Sequence, residues 1–234
     1  IELLVAVGII AAISAVIVIT LNPAEILKQS RDAVRISDLN ILNKALAIHK
    51  VDGSGSTGDA YKGYISIPDD DPACTSVVLS LPPLPPAPSP PAPPGTNWEY
   101  VCSLPDNYLK IDGTGWIPVD FTTVASGAPL SNLPRDPVND AVQGLYYTYV
   151  SGSFEITALL ESSKLSATAI NDGGESVGVY ETVTNVKLTP ETRDKGLVGY
   201  WKLDEGGGTS AINSSGNANG NIAGGPLWTA GKIG

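Results

Sequence analysis

The first twenty positions, IELLVAVGIIAAISAVIVIT, are apolar at all but Glu2, Gly8, Ser14 and Thr20. At 1.5 Å per residue a helix of that length spans roughly 30 Å, the hydrocarbon thickness of a bilayer. The pattern then changes. Ile26, Leu27, Val34, Leu39, Leu42, Leu46 and Ile48 fall near helical spacing, with Lys28, Arg31, Asp32, Arg35 and Lys44 between them. Gly53 and the GSGSTG stretch close the run. The pattern predicts one helix of about fifty residues, apolar all round first and amphipathic later. A kink or local unwinding is expected at Asn22-Pro23, where Pro23 withholds a backbone donor. Residues 59–192 alternate turn clusters with β-type runs at 61–67, 75–81, 97–103, 145–151 and 154–161. Gly152-Ser153 between the last two is a hairpin signal. The expected class is α+β: a small antiparallel sheet packed on the second half of the long helix. Three segments follow, a helix over 1–52, a β-rich head over 53–192 and a Gly/Asn-rich, β-type extension over 193–234.

Glu2 is the anomaly of the first segment. An ionisable group inside an apolar helix is costly and points to a function. No base precedes the apolar run, and none appears before Lys28, so it does not read as a signal peptide. Gly8 with Ala12, and Ala11 with Ala15, have the small-xxx-small spacing of closely packed helices.

Charge and composition narrow the chemistry. The chain has 24 acids and 14 bases, a net −10. Residues 1–52 hold five of each, so the whole excess lies beyond them. An acidic chain argues against a nucleic-acid grip, which needs clustered Lys and Arg. One His and two Cys exclude most zinc sites and leave few routes to a hydrolytic triad. Gly53, Gly55 and Gly58 match G-x-G-x-x-G but follow a helix, where the dinucleotide motif follows a strand. His49, near the helix end, reads as solvated or capping. Asp204-Glu205 are adjacent and should diverge on a strand, unlike a glycosidase pair. Asp69-Asp70-Asp71 reads as a solvated charge run. No residue set points to an enzyme, and none requires a cofactor.

The stretch IELLVAVGIIAAISAV resembles the N-terminal helix of type IV pilins and of type II secretion pseudopilins, with their Ile-Glu-Leu-Leu. The resemblance makes Glu2 the glutamate that neutralises the N-terminal amine of a neighbouring subunit. The chain departs from that pattern by starting at Ile1, without the family's Phe-Thr-Leu-like triplet or leader. Leu133, Pro134, Asp136 and Pro137, with Asn139 one position short of the family's Asn, resemble the pseudopilin run Leu-Pro-x-Asp-Pro-x-x-Asn; a proline-set turn opening a hairpin accounts for the same residues. In an exported chain Cys74 and Cys102 are expected to pair, stabilising by about 3–4 kcal/mol on the chain-entropy model. Between them, residues 81–94 form a polyproline stretch. It reads as a stiff surface loop, a docking ligand, or a glycosylated patch around Ser89.

Asn171, Asp172 and Glu175 offer hard oxygens, and major pseudopilins carry a calcium loop near the end of this domain; a solvated turn is the competing reading. The segment GLVGYWKLDEGGGTSAINSSGNANGNI resembles the opening of concanavalin-like laminin-G modules, with Leu203 for the usual Phe and Asn213 for the usual Asp.

These features predict a structural subunit of an extracellular, type IV pilus-like filament on a prokaryotic surface. Its partners would be identical subunits, placed by Glu2, Gly8, Ala12 and Pro23. Its helix would cross the cytoplasmic membrane before assembly. The resemblance adds a prepilin peptidase and an assembly platform, and the extension adds possible adhesion. Two other readings share the helix. One is a pseudopilin of a secretion or DNA-uptake machine. The other is a membrane-anchored protein that binds surfaces or glycans.

Overall fold

A computed structural model describes residues 2–53, 55–84, 97–151, 154–169, 172, 174, 178–183, 207–211 and 220–224, without the side chains of 12 and 15–21. Two helices open the chain, α1 over Glu2–Leu21 and α2 over Pro23–Asp52. The single helix of about fifty residues is therefore corrected to helices of 20 and 30 residues. The cause is local. Asn22 takes a left-handed conformation at φ 42°, ψ 75°, which Asn tolerates better than most residues. Its side chain accepts from the Glu25 N–H, and Pro23 stands at the first helical position, where its missing N–H is harmless. Gly53 closes α2, also left-handed at φ 69°.

Among the described residues no helix is long and apolar enough to cross a membrane. The expectation of a membrane-crossing helix is corrected on that finding. α2 has the length but carries charge from Glu25 to Asp52.

The sheet has five strands in the order β2-β1-β3-β4-β5, where β1 is Lys62–Pro68, β2 Glu99–Ser103, β3 Tyr147–Val150, β4 Glu155–Leu159 and β5 Val179–Val183. It is mixed. The β1–β2 pair is parallel, with Lys62 opposite Glu99, and the other pairs are antiparallel. The all-antiparallel expectation fails at this pair because the long 69–98 connection returns the chain to the start of β1. The run at 75–81 is not a strand but turns and a short 3-10 helix at Val78–Ser80. Cys74, itself at φ 58°, pairs with Cys102 across a separation of 28 and curls that segment onto the end of β2. Strand β5 and the short helix α3, Ser163–Ala169, add to the predicted set.

Period two along the strands divides the core. Tyr64, Tyr147, Tyr149, Ile156 and Ala158 face α2 and pack with Leu39, Leu42, Leu46, Trp116 and Phe121. Ile65, Ile67 and Tyr146 face the other way, among both cysteines, Leu81 and Tyr100. Within 193–234, the residues described beside the masked ones form a two-residue antiparallel pair, β6 (Ser210–Ala211) with β7 (Gly220–Asn221). Leu203, Asp204, Glu205 and Asn213 lie outside the described residues.

Candidate self-assembly surface

The second helix has two seams. Asp32, Arg35, Leu39, Leu42, Leu46 and His49 point inward at alternating spacings of three and four. Leu27, Val34, Ile41 and Ile48 recur every seven residues on the outside and remain 60, 46, 44 and 43% exposed. A strict seven-residue apolar repeat is the pattern of a seam that packs against another helix in a left-handed crossing. The sequence pattern merged these faces: Leu39, Leu42 and Leu46 belong to the core, while Leu27, Val34 and Ile48 do not.

In the first helix no described side chain is buried. Leu3, Leu4, Val5, Val7, Ile9, Ile10 and Ile13 are all more than half exposed. Glu2 is exposed as well. Around Gly8 an added Cβ would meet nothing within 4 Å. Nothing among the described residues needs that glycine, although glycine weakens a helix by about 1 kcal/mol relative to alanine. Ala12 lies in α1, its side chain outside the description. Pro23 is exposed at the start of α2.

A buried ion cluster fixes α2 to the sheet. Arg35 donates from Nε and Nη2 to the Asp136 carboxylate at 2.6 and 2.9 Å, and from Nη1 to Asp32 and Glu161 at 2.8 and 2.6 Å. Arg35 and Asp32 are fully buried. Asp32 also accepts from the Glu161 and Ser162 backbone N–H groups, and Asp136 from those of Val138 and Asn139. Arg31 closes the cluster with a bidentate pair to Glu161, both contacts at 2.7 Å. Burial opposes the charge on Arg35, but Asp136 first, then Glu161 and Asp32, outweigh it and raise the guanidinium above its ordinary value. Arg31 foremost, with Arg35 behind it, holds Glu161 at about 2 against burial. Beside the cluster, burial raises Asp38 while the Tyr147 hydroxyl, donating to it at 2.8 Å, works the other way.

The Leu133–Asn139 segment is thus the anchor for α2 rather than only a turn. Leu133 is in the core, and the Pro134 carbonyl accepts from Trp116 Nε1 at 2.9 Å. Asn139, at φ 54°, donates to the Ser66 carbonyl. The sequence reading missed this cluster. The available signal was an Asp and an Arg, three apart, standing in the same helical phase as Leu39, Leu42 and Leu46.

Other expected sites land differently. His49 is corrected from solvated or capping to buried, its ring edge-on to Phe121 with centroids 5.9 Å apart. Asp69 is no part of a solvated run: it is 4% exposed and accepts from Asp71 N, Ser76 N and Ser76 Oγ, which hold its carboxyl below the usual range. Of the calcium candidates, Asn171 and Glu175 lie outside the described residues. Asp172 accepts from Gly174 N and Glu181 N, both at 2.8 Å. With Glu181 it makes two carboxylates flanking Gly174, against the six to eight oxygens of a calcium shell. Among the described residues no group of three or more His, Cys, Asp or Glu could hold a metal.

Comparison with known proteins gives no relative: no family model, no curated protein and no solved structure matches this chain.

Proposed function

We propose that this chain is a subunit of a homopolymeric filament of the type IV pilin kind, built by packing α1 and the outer seam of α2 against copies of themselves. One observation carries the reading: the described large apolar side chains of α1, from Leu3 to Ile13, are exposed on all sides of the helix. A helix apolar all round is stable only when covered. Each such side chain gains about 1.5–3 kcal/mol on burial. The unexplained Gly8 and the seven-residue outer seam fit a close partner helix. Glu2 serves register, since a carboxylate in such a bundle is tolerable only when paired. The reading carries with it an extracellular location and identical subunits as partners.

The test is electron microscopy with helical reconstruction of material sheared from producing cells, for the wild type and Ile10→Asp. Ile10 is 63% exposed, so the substitution should change the subunit's own stability by no more than about 0.5 kcal/mol. In a helix bundle it buries an unpaired carboxylate, a cost of several kcal/mol. The expected result is wild-type filaments with α1 at the axis and none from the variant. Filaments with α1 at the surface, or an Ile10→Asp variant that assembles at wild-type yield, would overturn the proposal.

A further inference from the structure

We draw no further inference here: the strongest candidate, the open groove of about 730 Å³ between the disulfide-bonded turn and edge strand β2, lined by Leu79, Leu84, Trp98 and Tyr100, has nothing among the described residues to show what covers it.

Discussion

Arg35→Ala isolates the contribution of the ion cluster that seats α2 on the sheet. Four hydrogen bonds leave with the guanidinium, two of them to Asp136 and one each to Asp32 and Glu161. Asp32 and Asp136, 0 and 1% exposed, then keep only backbone donors. Removing one partner of a buried pair costs about 3–5 kcal/mol, because the remaining charge stays buried. At 1.4 kcal/mol per decade, this lowers the folded-to-unfolded ratio by about two to three and a half decades. Arg31→Ala is the internal control. Arg31 is a third exposed, Glu161 keeps Arg35, and the expected loss is about 0.5–1 kcal/mol. Urea denaturation at pH 7, followed by circular dichroism, measures both. The midpoint should fall much further for Arg35→Ala, with the slope unchanged. Equal losses for the two variants, or a loss below about 1 kcal/mol for Arg35→Ala, would refute the assignment of this cluster as the anchor.

Three further outcomes are expected. Glu161 is depressed from 4.5 to about 2 in the folded chain, so its contribution is complete above pH 4.5 and disappears as the pH falls toward 2; urea midpoints across that window should slope less for Glu161→Gln than for the wild type. Cys74→Ser with Cys102→Ser opens a loop of separation 28, and thermal denaturation should show a loss of about 3–4 kcal/mol; a reductant should lower the wild-type midpoint and leave the double variant unmoved. A Cβ on Gly115 would stand 2.0 Å from the Lys110 carbonyl oxygen and 2.6 Å from Leu133 Cδ1, whereas one on Gly63 would stand 3.6 Å from the Tyr100 ring. Gly115→Ala should therefore cost about 1–3 kcal/mol or more, and Gly63→Ala much less, in the same denaturation assay.

Much of the sheet was legible because its strands carry their own signal. The runs at 61–67, 97–103, 145–151 and 154–161 are rich in Tyr, Ile and Val, and β1, β2, β3 and β4 lie within or nearly within them. The run at 75–81, with Thr75, Val77 and Val78, reads as β-type but lies beside Cys74, whose bridge to Cys102 pulls it into turns; a cross-link set by the tertiary fold overrode local propensity. Strand β5 was hidden by the acidic, glycine-rich residues before it, and its pairing with β4 is a long-range fact. The parallel β1–β2 pair was illegible for a similar reason, since alternation in one strand says nothing of its neighbour's direction.

The helices show where a pattern of letters underdetermines a surface. Hydrophobic periodicity ran α2 together with α1 as one helix and counted Leu27 and Leu39 alike, although one is 60% exposed and the other fully buried. The discriminating residues were polar. Asp32 and Arg35 share a phase with Leu39, Leu42 and Leu46, and a charged pair in that phase is tolerated only with partners from elsewhere in the fold, here Asp136 and Glu161. Once those partners fix the inner seam, the outer seam is what remains: Leu27, Val34, Ile41 and Ile48, with no cover among the described residues. The same logic applies with more force to α1, where every described large apolar side chain is exposed and no charged pair selects one face. The described residues therefore account for one side of α2, and the proposed packing between copies would account for α1 and the other side.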